Sequence, residues 1–217
     1  MRNLFEKEFR LATPLLTFLF LGFTAMTFVP GYPILCGAFF VCFGIFQSYQ
    51  FGREDRDILY TVLLPVRKAD VVSSKFIAAV VLQMLAFLLF SIFTCVRMVW
   101  LSEVNAYRSN ALMSANPVFL SFVLLVFAAF NVIFIGGFFK TAYSFGKPFV
   151  EFIAAAFVII GIAETLHHLP GLGWLNALDR PQVGKQIPVL LVAAILYAAA
   201  TAISCRIAQE RFEKIDL

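Results

Sequence analysis

The chain has 217 residues, 61% of them apolar and 14% charged, with 27 phenylalanines and a mean hydropathy of +0.89. A soluble domain carries roughly 25% charged residues and cannot hide this much apolar surface, so composition excludes a soluble protein. The net charge of +4 would suggest nucleic acid in a soluble chain. Beside membrane spans, however, basic residues collect for topological reasons, and no nucleic-acid partner is expected.

The chain opens on Met1–Arg10, where Leu4, Phe5 and Phe9 alternate with charges, a pattern that predicts a short amphipathic helix in the membrane interface. Glu6 and Glu8, and the length of the apolar run that follows, argue against a signal peptide. Apolar runs are predicted as spans at about 11–29, 34–50, 76–101, 118–139, 149–169 and 187–205. The expected fold is therefore an all-α integral membrane protein of six transmembrane helices, forming a single transmembrane domain over residues 1–217. Pro30-Gly31-Tyr32-Pro33 makes a tight turn between the first two spans. The four cysteines (Cys36, Cys42, Cys95, Cys205) lie in or at the edge of apolar runs without metal-like spacing, and read as small buried hydrophobes.

Between spans two and three lies the one stretch that cannot sit in lipid, Phe51–Lys75. It carries Arg53, Glu54, Asp55, Arg56, Asp57, Arg67, Lys68, Asp70 and Lys75, with a helix-breaking Pro65. Ile58, Leu59, Val62 and Leu63 are spaced as the apolar face of a short helix. The stretch reads as a surface platform on which something soluble docks. Thirteen basic residues fall on the platform's side of the membrane and three (Arg108, Arg180, Lys185) on the other, which makes that side cytoplasmic and puts both termini there. Arg97 remains inside the third span near its outer end. There it is expected to snorkel to the headgroups rather than contact a substrate.

Few residues carry the pattern of chemistry. No nucleotide-binding loop is present, so no cofactor is expected on this chain and any ATP would be bound by another polypeptide. Glu164, His167 and His168 close the fifth span with a Glu-x-x-His spacing, which metal sites use, but no second such pair occurs. A polar interfacial cluster is the expected reading, with a substrate or gating contact and a metal centre as alternatives. Pro170–Trp174 suggests a bent or re-entrant outer segment anchored by Trp174, or an ordinary loop. The second span ends in Phe46-Gln47-Ser48-Tyr49-Gln50, which either lines a wet cavity or projects toward the platform. Phe39, Phe40, Phe43 and Phe46 form a substrate path or face lipid and neighbouring helices. Gly136-Gly137 permits close helix packing, within the chain or across a dimer.

The order of parts resembles the permease subunits of type-2 ABC exporters. Leu63-Leu64-Pro65-Val66-Arg67-Lys68-Ala69-Asp70-Val71-Val72-Ser73-Ser74-Lys75-Phe76 is similar to that family's passage into the third span, and Asn3–Arg10 to its usual start. The resemblance implies a multi-pass protein of the bacterial cell (inner) membrane, paired with a second copy or a paralogue and with a cytoplasmic ABC ATPase that holds the ATP and magnesium. It implies that the stretch from Arg53 to Leu64 is a coupling helix on the ATPase, with Arg53, Glu54, Asp55, Arg56, Asp57, Leu59 and Leu63 in contact. It also places spans two and five on the translocation path, with Phe43, Gln47 and Glu164 facing it. A phenylalanine-rich path would suit a hydrophobic or amphipathic substrate. Readings of other classes are an ion-coupled transporter, a non-transporting scaffold subunit, and an intramembrane metal enzyme built on Glu164, His167 and His168.

Overall fold

Prolines stand at the foot of most of the long helices, where the missing N–H has no intrahelical acceptor to lose and the fixed φ favours a first turn. The computed structural model describes residues 2–8, 13–63, 65–101, 104–108, 111–141 and 144–215. Helix α1 (Arg2–Lys7) is followed, after Pro14, by α2 (Leu15–Phe20), which tightens into a 3-10 helix over Leu21–Phe28. Pro30 and Gly31, the latter at φ 72°, turn the chain into α3 (Cys36–Glu54). The short α4 (Asp57–Val62) leads past Pro65 into the 33-residue α5 (Lys68–Trp100), and α6 is a single turn (Asn105–Arg108).

Helix α7 (Pro117–Ala129) starts on an Asn116 cap, whose side-chain oxygen accepts from Phe119 N–H at 2.9 Å. It continues through a π-helical segment, Phe130–Ile135, into α8 (Gly136–Phe138). Helix α9 (Gly146–Leu166), a 3-10 turn (Gly173–Asn176) and α10 (Arg180–Glu213) complete the described chain, which contains no strand.

Among the described residues, four helices are long and apolar enough to cross a membrane: Lys68–Trp100, Pro117–Phe138, Gly146–Leu166 and Pro181–Glu213. The first apolar run is helical but shorter. Leu15–Phe28 reaches about 25 Å, and only because its 3-10 residues rise about 2 Å each. Helix α5 extends eight residues before the expected start of its span and reaches about 50 Å, so its first turns stand clear of a ~30 Å hydrocarbon core. The α7–α8 span is the hub, 72% buried within the fold and packed against α10, α9, α5 and α3. By contrast α10 is only 17% buried over its apolar window, so most of its surface is left open by the rest of the chain.

Aromatic rings fill the gap between α3 and α9. Phe46 stacks on Phe149 at 3.8 Å, Phe39 on Phe152 at 5.9 Å, and Phe134 meets Phe46, Tyr49 and Phe149 edge-on. Two glycines let α3 lie against the first span. A Cβ at Gly37 would stand 2.7 Å from the Phe23 carbonyl oxygen, and one at Gly44 would meet the Phe20 side chain.

Candidate functional site: the polar platform and its ionic anchor

Helix α3 is ended by Asp55 and Arg56, the latter at φ 52°, the one positive φ of a non-glycine residue among those described. That left-handed step reverses the chain so that α4 folds back under α3. Arg53, Glu54, Asp55 and Arg56 all face solvent, with the Arg53 guanidinium 4.8 Å from the centroid of the Phe145 ring. Tyr60 on α4 (67% exposed) and Leu63 just past its end (82%) point outward, while Ile58 packs on the core and Thr61 is buried. The Leu59 and Val62 side chains, and Leu64 altogether, lie outside the described residues, as do the Phe5 side chain, Phe9 and Arg10. The outer surface of the platform is thus mixed in sign, with apolar side chains standing free among the charges.

Asp57 does not share that exposure. Its carboxylate turns inward, where Oδ2 lies 2.9 Å from Lys75 Nζ on α5 and Oδ1 lies 2.6 Å from Lys7 Nζ on α1. Glu8, 4% exposed, completes the group at 2.9 Å from Lys75 and 3.3 Å from Lys7. Lys7 also donates to Thr61 Oγ1 at 2.7 Å, and the Lys75 ammonium stands 5.7 Å from the centroid of the Tyr49 ring. Two cations and two carboxylates neutralise one another in a site where a single unpaired charge would be costly. Burial works to raise the Asp57 pKa, but the Lys75 charge and the hydrogen bonds from Lys7 and Lys75 outweigh it, and the carboxyl titrates below its ordinary value. The consequence is mechanical. Helices α1 and α4 and the foot of α5 are held at one point.

A second polar group lies in the middle of the bundle, and the sequence reading passed over it. Gln83 on α5 and Asn131 in the π segment, both fully buried, exchange reciprocal amide bonds at 2.8 and 3.0 Å. Tyr197 Oη donates to Gln83 at 2.8 Å, and Asn131 donates to Thr201 at 2.9 Å, so α10 joins the network. The Asn131 carbonyl, which takes the π-turn bond from Gly136 N–H, also accepts from Ser204 Oγ at 3.0 Å. An amide inside each of two long apolar runs was the available signal. Further down, Gln209 donates to Ser73 at 2.7 Å and Lys68 to the Ile215 carbonyl at 2.6 Å, fastening the end of α10 to the start of α5.

The three residues expected on a translocation path are not gathered in one place. Phe43 is half-buried among the Phe20, Phe46 and Phe149 rings, and Gln47 is half-buried one turn nearer the platform. Glu164 lies fifteen residues along α9 from Phe149, about 22 Å away at helical rise. There its Oε2 accepts from Met113 N–H at 2.8 Å, and His167 Nε2 lies 3.2 Å from the Ala111 carbonyl. Asn176 accepts from Ser114 N–H at 2.6 Å, and Gln186 donates to the Trp174 and Ala177 carbonyls. Together these side chains bind residues 111–116 to the C-terminal end of α9 and to the Gly173–Asn176 turn, a short loop in which Trp174 packs on the core. Among the described residues no three His, Cys, Asp or Glu side chains gather in a way that could hold a metal. Arg97 also differs from expectation. The residue is 4% exposed, and its guanidinium donates to the Thr27 carbonyl at 2.7 Å and lies 4.5 Å from the centroid of the Tyr107 ring. The carbonyl is free because the 3-10 segment ends there.

No curated protein and no solved structure matches the chain. A family described as "ABC-2 family transporter protein" matches residues 3–212, taking in every long helix, the platform and the ionic anchor. The chain belongs to that family, and is a multi-pass membrane component of a type-2 ABC transporter.

Proposed function

We propose that the protein is the permease subunit of an ABC exporter, driven by a separate cytoplasmic ATPase that carries the ATP and magnesium. The subunit crosses the membrane six times with both termini in the cytoplasm, counting Leu15–Phe28 and α3 as the first two crossings. It works with a second copy or a paralogue. The cargo is hydrophobic or amphipathic, in keeping with the phenylalanines of α3 and α9.

One observation carries the reading. The exposed charges Arg53, Glu54, Asp55 and Arg56 sit on a platform whose underside is fastened by Asp57 to the foot of α5. A partner that displaces the platform therefore pulls on α5 directly. Helix α5 passes the displacement to the hub through Gln83 and Asn131, and to α10 through Tyr197 and Gln209. Mixed charges at the rim set register and association rate, while Tyr60 and Leu63 supply apolar contact. Asp57 and Lys75 are positioning residues in this scheme and do not touch the ATPase.

The test uses the full complex in proteoliposomes. Asp55→Lys with Arg56→Glu is expected to lower transport about tenfold or more while the subunit still inserts and melts normally. Unchanged transport in that double variant contradicts the coupling role.

A further inference from the structure

A groove of about 260 Å³ opens on the bilayer-facing side between the π segment and α10. One wall is a stripe of α10 at helical spacing, Ala200, Ile203 and Ile207; the other is Val132 with the backbone of Gly136. Ile203 is 58% exposed and Val132 46%. The floor is Ser204, whose hydroxyl proton is already given to the Asn131 carbonyl, so the groove leaves no side-chain donor without a partner along its apolar length. A Cβ at Gly136 would lie 2.7 Å from that hydroxyl, so the close approach that shapes the floor needs glycine there. The π turn contributes by setting Val132 and Gly136 off the register of the helix above.

At the end nearest the platform the groove stops at Arg211, whose guanidinium is exposed and touches the Gly136 carbonyl only at 3.5 Å. Among the described residues no carboxylate pairs with it. From Ala200 to Arg211 the stripe spans about 16 Å, half of a ~30 Å hydrocarbon core. Its length is therefore that of one leaflet, with apolar walls and a cation at headgroup depth.

We infer that this groove is a binding site for one anionic phospholipid of that leaflet, an acyl chain lying along Ala200, Ile203 and Ile207 and the headgroup phosphate on Arg211. A lateral groove in a bilayer is filled by acyl chain whatever its headgroup. Arg211 makes the occupancy selective for negative charge. The site lies against Asn131 and Ser204, so lipid there bears on the hydrogen bonds that join the hub to α10.

The purified full chain, titrated with equal amounts of phosphatidylglycerol and phosphatidylcholine and read by native mass spectrometry, tests this. The expected result is retention of one phosphatidylglycerol with a preference on the order of fivefold. Arg211→Gln should remove the preference. Ile203→Trp, which fills the groove from its lipid-facing side without touching the packed interior, should remove the bound lipid. Lys140 and Lys147 also attract anionic lipid, so a preference that survives both variants overturns the proposal, as does equal retention of the two lipids. Dimeric cross-links through Ile203→Cys, in a chain freed of its native cysteines, would mean that a second copy covers the groove, and overturn it too.

Discussion

Lys75 and Asp57, eighteen positions apart, meet at 2.9 Å beneath the platform, and Lys75 is at the same distance from Glu8. This ion pair joins the segment that would receive mechanical work to the helix that would carry it. Removing one member of a buried pair leaves a charge without compensation, at a cost of about 3–5 kcal/mol. Lys75→Met should accordingly lower the thermal midpoint sharply, in a detergent melt followed by intrinsic fluorescence. Adding Glu8→Gln should recover most of the loss, because Asp57 then still pairs with Lys7 at 2.6 Å and no charge in the group is left without a partner. If Lys75→Met melts with the wild type, the anchor contributes nothing.

The depressed Asp57 pKa gives this anchor a pH dependence of definite sign. A carboxyl whose folded-state pKa lies below its unfolded value adds stability above the unfolded value, and that stability is lost as pH falls through the folded one. The contribution should persist at neutral pH and begin to fade below about pH 4, disappearing beneath the folded-state pKa. The difference between wild type and Asp57→Asn in chemical denaturation should therefore shrink as pH drops through that window. A difference that grows on acidification contradicts the assignment.

Gly37 and Gly44 fix how closely α3 approaches the first span. Gly37→Ala would force a methyl against the Phe23 carbonyl, and backbone cannot step aside as a long side chain can. A destabilisation of about 1–3 kcal/mol is expected. Gly161→Ala on α9, where nothing lies within 4 Å, is the matched control and should be neutral or stabilising by up to about 1 kcal/mol.

The amide network makes a prediction of coupling. Gln83→Leu and Asn131→Leu should each lower stability by about 0.6–1.7 kcal/mol, the range for hydrogen bonds between membrane helices. The double variant should lose clearly less than the sum, because each single change orphans the other's partner. Strict additivity would show that the two amides act independently.

Much of this architecture is legible in the sequence because apolar runs and prolines are local signals. Helix ends and contacts set by tertiary packing are not. Helix α5 begins eight residues before its apolar run, since the Lys75 charge that ended the run by composition is buried by partners 67 and 18 positions away. Asp57 was grouped with the platform's exposed charges for the same reason: its neighbours in sequence are solvated, but its neighbours in space are Lys7 and Lys75. The interfacial reading of Glu164 rested on its place at the end of a span, and it accepts a backbone N–H there. Arg97 was misplaced because a free carbonyl at the end of a 3-10 segment leaves no trace in composition. Gln83 and Asn131 were visible as single amides in apolar runs, but nothing local pairs them.

The central claim is that the platform faces the cytoplasm and is gripped by an ATPase there. Glu54→Cys, in a background without the native cysteines, can be treated with a membrane-impermeant maleimide in intact cells and in inverted vesicles. The predicted result is no modification in cells, ready modification in vesicles, and protection in vesicles when the ATPase is bound. Labelling from outside intact cells would contradict it.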